Sequence, residues 1–267
     1  MSRNRWTWIA VAALLVGLGG IEPIRSQEPP PNEREVKSLP QKVGRTDVWS
    51  LDLRFKDPRI VKVEIPGRGE RICWYLWYQV INRTEKPIAF KSPVFELVTH
   101  DYPGSYGDEI LPTAEAMIRK LEDPRGYLDI KNSFTITQNL IPISKSPEDA
   151  FPIAVTGVAI WDASPADLKN RDVSKKDLSD CTQFSVFVRG LSNGFVEVDP
   201  PGPGLPPQVR DKTLQLKFKR SGDRYSIDSR DISFVAPHEW TYRPSARTLI
   251  PQSKDKGAEP KGAEPKQ

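Results

Sequence analysis

The chain has 267 residues, 37% of them hydrophobic and 26 of them proline, which points to a loop-rich β protein with disordered ends, because proline is barred from helix interiors and central strands. Its formal charge of +4 falls to about +2 once Arg3, Arg5, Arg25 and Glu22 of the first 26 residues are set aside, so electrostatics gives little reason to expect nucleic acid. With only two histidines, and no G-x-S-x-G, S-x-x-K, C-x-x-C or P-loop, the common hydrolase, redox and nucleotide signatures are absent.

Residues 1 to 26 open with Arg3 and Arg5, run uncharged from Trp6 to Leu18 and end in a short polar exit, the pattern of a Sec-type signal peptide. The uncharged stretch is shorter than the roughly 20 residues of a spanning helix, so no stable membrane span is expected after cleavage, which fits after Gly20 or after Ser26. A secreted or periplasmic location follows. From 27 to 46 the chain is polar, proline-containing and aperiodic, which reads as a disordered leader before a domain over 47 to 248. Trp49, Leu51, Leu53 and Phe55 alternate with polar residues as a one-sided strand, and Val61, Val63 and Ile65 repeat that pattern after a turn at Asp57-Pro58.

The densest strand-forming stretch is Arg71 to Thr99. Between Ile72 and Ile81 both alternating residue sets are largely apolar, which predicts a central strand covered on both faces. Asn82 to Pro87 supplies turn chemistry, and Ile88 to Phe90 with Val94 to Val98 restarts the β pattern, suggesting a hairpin-like pair. Pro93 marks a bulge or a sheet-switching bend in it. The strand, Asn-containing turn and strand of YQVINRTEKPIAF resemble adjacent strands of immunoglobulin-like domains in secreted bacterial proteins. That resemblance implies an architecture, an antiparallel immunoglobulin-like β-sandwich, and no functional residues.

Beyond Thr99, the loop from His100 to Glu109 gathers His100, Asp101, Asp108 and Glu109 with two tyrosines and two glycines. It is a candidate ligand, ion or acid–base loop, weighed against a plain polar loop made flexible by glycine. A helix is expected over 113 to 122: Thr113 can cap it, and Ala114, Met117, Ile118 and Leu121 form one apolar stripe suited to a lid on the sandwich. Phe134 to Thr137 and Ile153 to Trp161 read as strands, and Ala166 to Leu178 could include a charged helix. Cys181 to Leu191 leads through Asn193-Gly194 into Phe195 to Val198 as a tight hairpin. The segment from Leu214 to about Val235 is too short to bury a core alone, so Leu214, Leu216 and Phe218 are expected to face the same core. Lys217, Lys219, Arg220 and Arg224 read as a solvated outer face, and 249 to 267, with its tandem GAEPK, as a disordered tail.

In an oxidising compartment Cys73 and Cys181 form a candidate disulfide, against the alternative of two buried thiols. His238-Glu-Trp-Thr-Tyr242 begins like a zinc-binding helix but lacks the second histidine, and no metal or cofactor is expected. Trp240 and Tyr242, placed after the last expected strand, are candidate exposed aromatics. Two functions follow: an exported non-enzymatic binding or structural module, with an envelope protein or glycan as candidate partner, and alternatively a secreted or envelope hydrolase acting on polysaccharide.

Overall fold

A computed structural model describes residues 32–37, 48–91, 93–144, 152–164, 177–199, 207–221 and 231–245. The expected signal peptide over 1–26, the expected tail over 249–267, Arg224 and most of the expected helix after Ala166 lie outside the described residues. Strands β1 (Glu33–Val36), β2 (Asp52–Lys56), β3 (Arg59–Ile65) and β4 (Gly69–Ile81) come first, then β5 (Ile88–Ala89), β6 (Val94–Thr99) and β7 (Gly104–Gly107). Helix α1 (Pro112–Glu122) precedes β8 (Leu140–Ile141), β9 (Ala154–Asp162), β10 (Gln183–Arg189), β11 (Phe195–Val198), β12 (Gln208–Arg220) and β13 (Ile232–Pro244). The protein is mainly β, and its strands pair antiparallel. A strand at 33–36, inside the expected disordered leader, pairs with β2 as the outer member of the first sheet.

The 13-residue β4 organises that sheet. Strand β9 takes one of its edges from Cys73 to Ile81, so β2 and β3 must share the other, end to end. Phe55 stands opposite Tyr78 and Arg59 opposite Tyr75, which sets three residues of one edge against two of β4. The extra residue at Asp57-Pro58 is therefore a bulge inside a continuing edge, and it reverses which parity faces inward. Leu53, Phe55 and Ile60 point into the core between the sheets, whereas Val61 and Val63 point to the opposite face. The period expected for Val61, Val63 and Ile65 is right; their face is the other one.

The second sheet repeats this plan on β12. Strand β13 runs along one edge of it, while β10 and β11 lie end to end along the other, with β6 outside β10 and β7 outside β6. No hairpin forms at Asn193-Gly194, because the connecting residues are committed to the first sheet. The Leu191 carbonyl accepts the Leu51 N–H at 2.7 Å, the Asn193 side chain accepts the Trp49 N–H at 2.8 Å, and the Ser192 hydroxyl donates to the Trp49 carbonyl at 2.8 Å. The positive φ of this connection falls on Gly190, at 94°. The expected pair of Ile72–Ile81 with Val94–Val98 is also absent: β4 belongs to the first sheet, β6 to the second, and Pro93 stands where the chain has crossed between them.

Between the sheets the core is aromatic. Trp74 meets Phe184 at 5.3 Å, Tyr78 meets Phe95 at 4.5 Å and Phe55 meets Phe218 edge-on at 6.1 Å, each pair joining one sheet to the other. Leu214, Leu216 and Phe218 face this core as the sequence requires. The far face of the first sheet is covered by Leu111, Ala114 and Ile118 of α1 and its entry, packed on Val61, Val63, Cys73, Tyr75, Trp77, Val158 and Ile160. Both parities of β4 are thus buried. Thr113 does not cap the helix: Pro112, with no N–H to leave unpaired, takes the first turn and moves the cap position to Leu111. Phe134 to Thr137 is no strand, because the Asn132 side chain accepts the N–H groups of Phe134 (3.1 Å) and Thr135 (2.8 Å) and starts a short 3-10 turn over Thr135–Gln138.

The cysteines are free. Cys73 lies among the residues under α1, whereas Cys181 lies in the core between the sheets, where its thiol donates to the Gln183 carbonyl at 3.1 Å. Because they occupy opposite faces of the first sheet, no disulfide forms. Burial pushes both thiols up to about 12, which keeps them protonated and unreactive at neutral pH.

Candidate functional site

The loop from His100 to Glu109 leaves the end of β6, turns through β7 and enters α1. His100 reaches the outer face of the second sheet, where its Nε2 lies 2.9 Å from the Ser185 hydroxyl, which also accepts from Gln215 Nε2 at 2.9 Å. A serine beside a histidine invites a nucleophile reading, but Ser185 is fully buried in mid-strand, with β6 and β12 paired on either side of it. Asp101 turns the other way. Burial nudges its carboxyl up, and hydrogen bonds from the Thr182 and Gln183 amides and the Thr182 hydroxyl outweigh that and hold it below the usual carboxylate range. It fastens the loop to the start of β10.

Asp108 is raised above the usual range by burial, against a hydrogen bond from Ser133. Glu109 lies 3.8 Å from Arg68, both half exposed. The four polar residues therefore go to four places and share no centre; among the described residues no three His, Cys, Asp or Glu side chains stand close enough to share a cation. The loop's tyrosines are structural ties, the Tyr102 hydroxyl donating to the Asp177 carbonyl at 2.7 Å and lying 3.3 Å from the Tyr106 hydroxyl.

Trp240 and Tyr242 do not follow the last strand but belong to β13, which runs to Pro244. Trp240 is half-buried and packs against the core, with the Lys212 ammonium 4.7 Å from its ring centre. Lys212 is almost wholly covered, and burial lowers its amine below the ordinary lysine range. Within the basic cluster, Lys217 faces outward, 2.6 Å from Glu239, and Lys219 is exposed. Arg220 has the inward parity instead, buried over Trp74 and donating to the Ser179 carbonyl at 2.6 Å.

Three features escaped the sequence reading. Glu122, at the end of α1, accepts from Lys56 Nζ and Arg59 (both 2.9 Å) and from the Tyr75 hydroxyl (2.8 Å), bolting the helix to the first sheet. An open groove of about 530 Å³ is lined by Lys91, Pro93, Ser133, Phe134 and Thr137, beside Asp108. Asn132, two residues before an apolar ring, was the available signal for that turn. The outer face of the second sheet carries no helix among the described residues; Arg243 lies there, 3.8 Å over the Phe187 ring and 3.1 Å from Glu96.

Comparison of the chain with protein-family models, with curated proteins and with solved structures returns no match.

Proposed function

We propose that the chain is an exported, non-enzymatic binding or structural module of the secreted or periplasmic compartment, with an envelope protein or glycan as its partner. The divergence of His100, Asp101, Asp108 and Glu109 carries this reading: each is spent on scaffold contacts, whereas acid–base catalysis needs titratable groups converging on one reacting atom. The resemblance to immunoglobulin-like domains fits a sandwich that serves as a scaffold for surfaces.

Support for a binding surface comes from the outer face of the second sheet, which carries no helix among the described residues and where the Phe187–Arg243–Glu96 group presents an aromatic plane and opposite charges side by side. Pull-down of envelope proteins and glycans with the chain from Gln27 onward tests this. Capture is expected with the native chain and not with Phe187→Glu/Arg243→Glu. Turnover of an envelope polysaccharide that disappears on Asp101→Ala would overturn the proposal in favour of a hydrolase.

A further inference from the structure

Of nine large hydrophobic side chains left exposed among the described residues, eight lie between Ile110 and Ile153, seven of them on or after the helix. At the C-terminal end of α1, Met117 and Leu121 are one turn apart and are 40% and 51% exposed, and Tyr127 in the following loop is 80% exposed. Two of the three acidic groups around them are paired with cations, and the third is held by its own loop. Glu122 is covered by Lys56 and Arg59, and Asp129 lies 2.9 Å from Lys131. Asp123 turns back into its own loop, where hydrogen bonds from the Leu128 amide first, and then from those of Tyr127, Gly126 and Arg125, hold its carboxyl below the usual range. Arg119, Lys120 and Arg125 remain, all exposed.

We infer that this end of the molecule, from Met117 to Leu128, docks on a bilayer surface carrying anionic lipid. Leu121, Tyr127 and Leu128 enter the headgroup region, and Arg119, Lys120 and Arg125 face the lipid phosphates. Apolar and aromatic side chains flanked by an excess of cations, here three against the single carboxylate of Asp123, are the composition an anionic interface favours, the rings burying their bodies while the charges stay in the polar layer. Among the described residues no helix is long and apolar enough to cross a membrane, so the contact is one of surface docking. The inference deepens the binding-module reading and fails separately from it: capture of an envelope protein or glycan without vesicle binding removes the inference alone.

Flotation with equimolar phosphatidylcholine/phosphatidylglycerol vesicles, and with phosphatidylcholine vesicles, at low and high salt, tests it. The chain from Gln27 onward is used, since it contains every described element and lacks the uncharged Trp6–Leu18 stretch, which would partition unaided. Flotation with the anionic vesicles, weakening at high salt, is expected. Arg119→Ala/Lys120→Ala/Arg125→Ala should lower the partition coefficient roughly a hundredfold. Leu121→Glu/Tyr127→Glu should abolish flotation, and Tyr127→Glu alone should weaken it should the double variant fold poorly. No flotation above the phosphatidylcholine baseline at low salt overturns the inference. So does undiminished flotation of either the basic or the apolar variant.

Discussion

The two sheets of this protein are built on the same plan and finished differently. Each has a 13-residue strand, β4 or β12, with one neighbour along one edge and two collinear strands along the other. In the first sheet both faces are packed, one on the second sheet and the other under α1. In the second, one face is packed and the other carries Ser185, Phe187, Gln215, Lys217 and Arg243 with no helix over it among the described residues. The difference is written in composition: β4 is apolar on both parities, whereas β10 and the second half of β12 alternate. A sheet covered on both sides is a scaffold; a sheet with one polar, half-open face has a surface to offer.

Substitutions on the three faces test that contrast by their cost. Trp74→Ala, in the inter-sheet core where Trp74 is 1% exposed, should lose about 4 kcal/mol in chemical denaturation. Trp77→Ala, on the helix side of the same strand, should lose about 3 kcal/mol, and Phe187→Ala on the open face less than about 1 kcal/mol. A Phe187→Ala cost equal to that of Trp77→Ala would mean that something covers the second sheet and would break the comparison. Between these values, Glu122→Ala should lose about 2 kcal/mol, because Lys56 and Arg59 lose their buried carboxylate, a cost that their 17% and 32% side-chain exposure to water partly offsets.

Smaller effects separate the sheets from the loop that joins them to the helix. The folded chain raises Asp108, so it favours the protonated carboxyl: that stability is fully present below the ordinary value of 3.8 and is lost as pH rises through the higher folded value. In Asp108→Asn this part of the pH dependence of the unfolding midpoint should vanish. The smallest effect should be that of reductant. Because the thiols lie on opposite faces of the first sheet, dithiothreitol should leave the melting temperature unchanged, and a thiol reagent should label Cys73 and Cys181 only after unfolding.

What was legible in the sequence and what was not divides along the range of the interactions. The alternation of Phe184, Val186 and Val188, and of Leu214, Leu216 and Phe218, marks the inner face of the second sheet correctly, and the helix begins within one residue of its expected start. The candidate loop was visible as a cluster in sequence, but its chemistry was not. Neighbouring residues at a sheet end leave in different directions, so His100 and Asp101 reach Ser185 and Thr182 by opposite routes. Trp240 and Tyr242 were misplaced because β13 continues past Pro237, at an edge strand where proline costs no ladder partner.

By itself, then, the sequence determined the β class, the doubly buried strand at Ile72–Ile81 and helix α1, because side-chain period and turn residues act over a few positions. Tertiary structure alone decided which strands pair, and with that came three reversals. The Asp57-Pro58 bulge sent Val61 and Val63 to the helix side, Asn193-Gly194 became a tie between sheets, and the two cysteines came to rest on opposite faces of one sheet. Pairing and register are set by contacts between residues 20 to 140 positions apart, such as Phe55 with Tyr78 and Leu51 with Leu191, and a one-residue shift in them inverts a face without altering any local pattern.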